Sequence, residues 1–332
     1  MSFRRIVVAV RNVLFFLIGL MGAGALQTRD VNLPESGSLG RKWRHFEEHG
    51  AKYSLVFMGS SRVAHHFIPE QFDAELKKAG VEMKSFNFGQ DGMFPPESFY
   101  ALRSLLEQTP AKPRFVLIDL MNFRPILKGN EEAERAVAWH DGRHTLLALR
   151  MLLSSDYEKP EEDPGMLYHA RLFAQRTLGE GRWHDWLKTR IKLKQRMSST
   201  VASSGYEPLE SRPLDAKEAE RFRGLVESLT GTDRRTELPA VYRRELESLI
   251  EFVRSRGAEP VFVVSPDIFA SQRYNNWPPS GVTQFSYDYP ETYPTLYRPE
   301  QRYDASHLDG EGAKEFTRIF AAEFADWLKR RK

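Results

Sequence analysis

Three short, uninterrupted apolar runs, YSLVFM at 53–58, RFVLIDLM at 114–121 and PVFVVS at 260–265, constrain this 332-residue chain more than any other feature. A strand with one wet face alternates apolar and polar residues, whereas a strand covered on both faces reads as a continuous apolar run. The runs therefore predict buried strands of a parallel sheet, with a further strand at 83–88. Helix signals fill the gaps. Residues 69–79 begin with proline, carry Phe72 and Leu76 four apart and stop before Gly80; that is the signature of a helix with Pro in its first turn and Gly past its end. Helices are likewise expected at 96–108, at 239–256 before Gly257, and at 310–329, where Phe316, Ile319, Phe320, Phe324 and Leu328 share a face. Strand alternating with helix predicts a doubly wound, mostly parallel α/β sheet flanked by helices.

The alternation stops between 123 and 235. Helical stretches at 144–154, 164–178 and 183–197, joined by polar segments such as 198–205, predict a mainly helical insertion. The expected organisation is a signal peptide or signal anchor at 1–26, a linker and lead-in at 27–50, a split core at 51–123 and 236–332, and the insertion at 124–235. The first segment pairs arginines at 4, 5 and 11 with an apolar run ending in Ala23-Gly24-Ala25. It fits a cleaved export signal, or an anchor oriented by its cytoplasmic arginines. Both readings place the folded part outside the cytoplasm, periplasmic or at the cell surface, tethered to the membrane in the anchor form. The absence of cysteine agrees with an oxidising compartment. Hydrophobic residues at 41% and charged residues at 28% exclude a disordered chain and a multi-pass membrane protein. A net charge of +3 spread along the chain argues against a nucleic-acid partner.

In doubly wound sheets chemistry gathers at the carboxyl ends of the strands. Three polar segments satisfy that placement. Gly59-Ser60-Ser61-Arg62 follows the first run, and Ser61 there projects at the start of the next segment; the same residues are also ordinary turn chemistry. Asn87-Phe88-Gly89-Gln90-Asp91-Gly92 follows the second strand, where glycines allow close backbone approach and amides can face a developing oxyanion. Asp304-Ala305-Ser306-His307 precedes the last helix, and an aspartate three residues before a histidine can orient its ring as a base. The adjacent His65 and His66 are read as bystanders. His140 and His144 have the spacing of a metal pair, but Gly142 between them and the lack of a third ligand exclude zinc. No cofactor and no metal is expected. Arg62 is a candidate substrate contact or a salt bridge fixing the turn. Nine aromatic residues between 269 and 303, among them Tyr274 and Trp277, offer faces for stacking on sugar rings, or pack among themselves.

Taken together, the early Ser61, the glycine turn after the second strand and Asp304-x-x-His307 before the last helix resemble the SGNH, or GDSL-like, hydrolase superfamily. HLDGEGA at 307–313 is similar to the family's H-P-N-x-x-G run, with Leu308 in place of proline and Asp309 placed to cap the helix. The resemblance covers about 53–123 and 239–332. It implies Ser61 as nucleophile, His307 as general base and Asp304 as the orienting acid, with the amides of Ser61 and Gly92 and the Asn122 side chain as the oxyanion hole. Ser60 stands where the family has aspartate, and IDLMNFR lacks the family's glycine-asparagine-aspartate block. The GSSR turn is similar to that of exported and membrane-anchored relatives acting on polysaccharide or cell-wall acylation. The implied activity is that of a serine esterase or O-acyltransferase on an acylated glycan or other envelope ester, with a membrane acyltransferase as a possible partner. A catalytically inactive envelope protein of the same fold, binding glycan or an assembly partner, is the alternative.

Overall fold

The computed structural model describes residues 37–126, 134–159, 161, 163–178, 204–210, 214–231, 235–268 and 273–331. The segment at 1–26 read above as an export signal or anchor and the helical stretch expected at 183–197 lie outside the described residues, and among those described no helix is long and apolar enough to cross a membrane.

Five parallel strands form one sheet: β1 (Leu55–Met58), β2 (Ser85–Asn87), β3 (Phe115–Asp119), β4 (Glu259–Val264) and β5 (Thr283–Ser286), in the order β2-β1-β3-β4-β5. The apolar runs are continuous because alternate residues feed two cores. Val56, Met58, Val116, Ile118, Phe262 and Val264 enter one apolar cluster, while Leu55, Phe57, Leu117, Val261 and Val263 enter the other. Both faces are covered, as a parallel sheet requires.

The first face carries α1 (Gly37–His49), α4 (Glu97–Gln108), α5 (Glu134–Trp139), α6 (Gly142–Leu152), α7 (Met166–Leu178) and α9 (Ala240–Ser255). The second carries α3 (Pro69–Lys78), α8 (Ala216–Leu229) and α10 (Gly310–Arg330), while the short α2 (Ser61–His66) links β1 to α3. On α10 the rings of Phe316, Phe320 and Phe324 recur every four residues against the sheet, and Phe320 stacks on Phe72 of α3 at 5.3 Å.

Two segments differ from expectation. The lead-in is a 13-residue helix, α1, that buries Leu39, Trp43 and Phe46; its Gly and Ser content gives it the look of a linker. A fifth strand lies inside the aromatic stretch. Its sequence, TQFS, is half-buried along its whole length; an edge strand with one neighbour needs no apolar run. Within 124–235 the described residues form α5, α6, α7 and α8, and residues 204–210 return to the sheet, where Ser204 O accepts from Asn87 N at 2.7 Å.

Strand order reverses between β1 and β3. That reversal opens a crevice at the carboxyl ends of these two strands, and ligands of such sheets bind there. The segment after β1 begins with Gly59-Ser60-Ser61.

Candidate active site

Ser60 ends the turn after β1 and caps α2, its Oγ accepting from Arg62 N at 3.3 Å. Ser61 is therefore the first residue of α2, with no helical carbonyl four residues earlier to take its N–H. The serine at 60, where the resemblance anticipates aspartate, has a local cause. Its Oγ lies 3.3 Å from the fully buried Asp119 carboxylate at the end of β3, and a second carboxylate there would face like charge.

His307 reaches Ser61 from a tight loop before α10. The ends of this loop are tied by an antiparallel bridge between Arg302 and Leu308, and Tyr303 N donates to His307 O at 3.0 Å. Beyond it Asp309 caps α10, accepting from Glu311 N and Gly312 N. Inside the loop Asp304 Oδ1 accepts from Ser306 N at 2.7 Å and His307 N at 2.8 Å. The same carboxylate meets the ring at His307 Nδ1, 2.9 Å from Oδ2 and 3.0 Å from Oδ1. At the other end of the ring, His307 Nε2 is 2.8 Å from Ser61 Oγ. With the ring proton on Nδ1 facing Asp304, Nε2 is free to accept the serine proton. Burial works against the Asp304 charge, but its bonds to the His307 ring and to two amides outweigh this and hold its pKa below the usual carboxylate value.

The loop after β2 lies against the start of α2. Gln90 N donates to Gly59 O at 3.0 Å, and a Cβ at Gly89 would come within 2.2 Å of Ala64 N, so only glycine allows this approach. Met93 N donates to Gln90 O at 3.1 Å, closing a turn in which Gly92 has φ +63°. Gly92 also lines a narrow cleft with Glu97, Arg124, Ile126, Arg135 and Trp139. Burial pushes the Glu97 carboxyl up to about 7, against the Arg135 guanidinium 3.6 Å away. The start of the insertion thus forms one wall beside the candidate oxyanion loop. Asn122, after β3, is exposed, and its Oδ1 accepts from Tyr274 OH at 3.0 Å, which leaves its amide N–H groups as the donors.

For two candidate substrate contacts the structure shows the packing alternative. Arg62 is buried between two carboxylates, NH1 2.6 Å from Asp267 Oδ2 and Nε 3.7 Å from Asp119 Oδ2. It fixes α2 to the ends of β3 and β4. Trp277 is buried edge-on against Phe262 at 5.0 Å and presents no stacking face. Tyr274 stays half-exposed, its hydroxyl turned to Asn122.

The neighbouring histidines are not bystanders. The rings of His65 and His66 lie 5.9 and 6.1 Å from that of His307, each roughly perpendicular to it. His66 is fully buried, and its Nε2 accepts from Leu308 N at 3.0 Å while its carbonyl accepts from Thr317 Oγ1. Burial, with His307 and Arg302 nearby, holds its pKa well below the ordinary histidine value. A neutral ring therefore pins the His307 loop to α2. In the insertion, Asp141 caps α6, so His140 precedes the helix and His144 lies in its first turn; His140 Nε2 instead meets His169 Nδ1 at 2.9 Å. Among the described residues no cluster has the makings of a metal site.

Sequence reasoning missed Asp119 and Asp267, although Asp119 ends β3 and Asp267 follows β4, and the carboxyl-end rule could have found them. It also missed Lys42 and Glu207, for which no local signal exists. Compared with family models, characterised proteins and solved structures, the chain finds no match.

Proposed function

We propose that this protein is a serine esterase or O-acyltransferase of SGNH type. One observation carries the reading: Ser61 Oγ, the His307 ring and the Asp304 carboxylate form an unbroken hydrogen-bonded chain at the crevice where strand order reverses. A hydroxyl aimed at an imidazole whose far nitrogen is held by a carboxylate is the arrangement in which a serine is deprotonated for attack.

In the proposed reaction His307 Nε2 takes the hydroxyl proton as Ser61 Oγ attacks the ester carbonyl carbon. The oxyanion that forms faces the amides of Ser61 and Gly92 and the Asn122 side chain. His307 returns the proton to the departing alcohol as the carbon–oxygen bond breaks, leaving an acyl-serine. Asp304 holds the ring tautomer and stabilises the imidazolium between the two steps. Water or a sugar hydroxyl, deprotonated by the same nitrogen, then releases the acyl group, as free acid or as a new ester.

The apolar, arginine-flanked first 26 residues support an extracytoplasmic, membrane-tethered setting, and with it an acylated glycan or another envelope ester as substrate. The buried Trp277 removes one face from the sugar-stacking surface first expected, so recognition falls on the crevice beside Tyr274 and Asn122 and on the cleft by Gly92.

A serine-directed fluorophosphonate tests the reading. Wild type is expected to be labelled at Ser61 and Ser61→Ala to remain unlabelled, with parallel loss of 4-nitrophenyl acetate hydrolysis. Folded wild-type protein that neither labels nor turns over ester would make the chain a binding protein instead.

A further inference from the structure

The residues of the loop after β2 are fastened by side chains from two separate segments, and both are held by a third. Lys42 of α1, with no exposed surface, donates from Nζ to Gly89 O at 2.5 Å and pairs with Glu207 Oε1 at 2.9 Å. His65 of α2 places Nε2 2.8 Å from Asp91 Oδ1 and Nδ1 2.6 Å from Glu207 O. Glu207 also donates its N–H to Ala64 O at 3.1 Å and accepts from Ser38 Oγ. The return of the insertion to the sheet thus anchors two cationic groups that grip the loop at both ends of Gly89-Gln90-Asp91.

The gripped residue is decisive for the next peptide. In the turn Gln90–Met93 the middle peptide joins Asp91 to Gly92. Turn types I and II differ by a flip of this peptide, which sends its N–H to opposite faces, and a positive φ at the third residue belongs to the flipped form. That N–H is the Gly92 amide.

We propose that His65, as an imidazolium, is a positioning residue that sets the Gly92 amide toward the oxyanion by holding Asp91, with Glu207 and Lys42 completing the clamp. The inference rests on the enzyme reading above. Both nitrogens of the His65 ring face acceptors, a carboxylate and a carbonyl, so both must donate and the ring must carry two protons.

The groups facing this ring are Asp91 from the loop, Glu207 from the returning segment, Lys42 across Glu207, His66 on the same helix and His307 from the C-terminal loop. Burial opposes the charge on His65, but the bonds to Asp91 and Glu207 outweigh it and raise its pKa above the ordinary histidine value. The bond to His65 lowers that of Asp91. The pair is therefore complete from below the usual carboxylate range up to the raised His65 value, and is lost as pH rises through it.

The test is the pH dependence of kcat for 4-nitrophenyl acetate in wild type, His65→Gln and Asp91→Asn, with the melting temperature measured in parallel. Wild type is expected to lose activity on an alkaline limb. His65→Gln keeps one neutral donor; its kcat should fall about tenfold with KM within twofold, and the limb should vanish, as in Asp91→Asn. A purely structural role would lower the melting temperature and leave the limb in place. In Ser61→Ala protein, the His65 ring followed by NMR should titrate above 6.5, and lower once Asp91→Asn is added. Variants that keep the wild-type limb and a kcat within twofold, or a His65 that titrates at or below 6.5, overturn the proposal. Failure of the enzyme reading looks different: wild type is then unlabelled and inactive while His65 still titrates high.

Discussion

Replacing Asp304 by Asn separates the chemistry of the candidate triad from its architecture. Oδ1 alone accepts from both loop amides, Ser306 N at 2.7 Å and His307 N at 2.8 Å. In Asp304→Asn the side-chain oxygen can keep both bonds, so the loop should hold its shape. The new amide nitrogen must then take the place of Oδ2, 2.9 Å from His307 Nδ1. A donor in that position opposes the Nδ1 proton, which keeps only the more distant Oδ1 at 3.0 Å; the balance shifts to a ring protonated on Nε2, which donates toward Ser61 instead of accepting its proton. For such a tautomer switch with intact geometry the loss in kcat reaches about 10⁴. The Asp304 side chain is 48% exposed, so solvent already screens part of its effect on the imidazolium. We therefore expect a loss of about 10³ in kcat, equivalent to about 4 kcal/mol in the barrier, with KM little changed. Steady-state hydrolysis of 4-nitrophenyl acetate and the rate of fluorophosphonate labelling measure it, and thermal denaturation should shift by no more than about 1 kcal/mol. A variant with wild-type stability and activity within fivefold of wild type would refute the tautomer argument.

The other predictions concern buried ionisable groups. Arg62→Lys should lower stability by about 3 kcal/mol in urea denaturation, because an ammonium cannot bridge Asp119 and Asp267 as the guanidinium does and leaves a buried carboxylate poorly paired; unchanged stability with a raised KM would restore Arg62 as a substrate contact. In the insertion, burial holds His140 down to about 3. A depressed histidine stabilises the fold above its unfolded pKa, near 6.5, and that stabilisation is lost as pH falls toward the folded value. Between pH 7 and 4.5 this group alone should remove about 2–3 kcal/mol of stability, and His140→Gln should flatten that part of the pH profile whatever its stability at pH 7. An unchanged acid slope in the variant would show that His140 is not the responsible group.

How far the chain can be read without its fold varies by segment and for identifiable reasons. β1, β3 and β4 are legible because both of their faces are buried and every residue must be apolar. β5 is not, since TQFS at the sheet edge is half-buried and carries no run. α1 has Leu39, Trp43 and Phe46 at helical spacing, yet GSLG at its start reads as linker. At the site, Ser61 announces itself through the strand before it, and Asp304 and His307 through their mutual spacing. Arg62 and Trp277 stay open in the sequence, because a charged or aromatic side chain in a polar segment looks available until its burial is known. His65 and His66 look redundant beside a base elsewhere in the chain. In the structure the two rings serve different segments, one the loop after β2 and the other the loop before α10.

By itself the sequence determines local matters: which runs must be buried on both faces, where helices start and stop, and which polar residues stand at strand ends. Those properties depend on neighbours a few positions away, and periodicity records them. Only the tertiary structure decides that Ser61 and His307, 246 positions apart, share a hydrogen bond, that Arg62 is locked between two aspartates, and that Glu207 holds Lys42 and His65 against one loop. Such meetings arise from strand order and from the return of the insertion to the sheet. Long-range packing fixes both, and a single sequence carries no periodic trace of them.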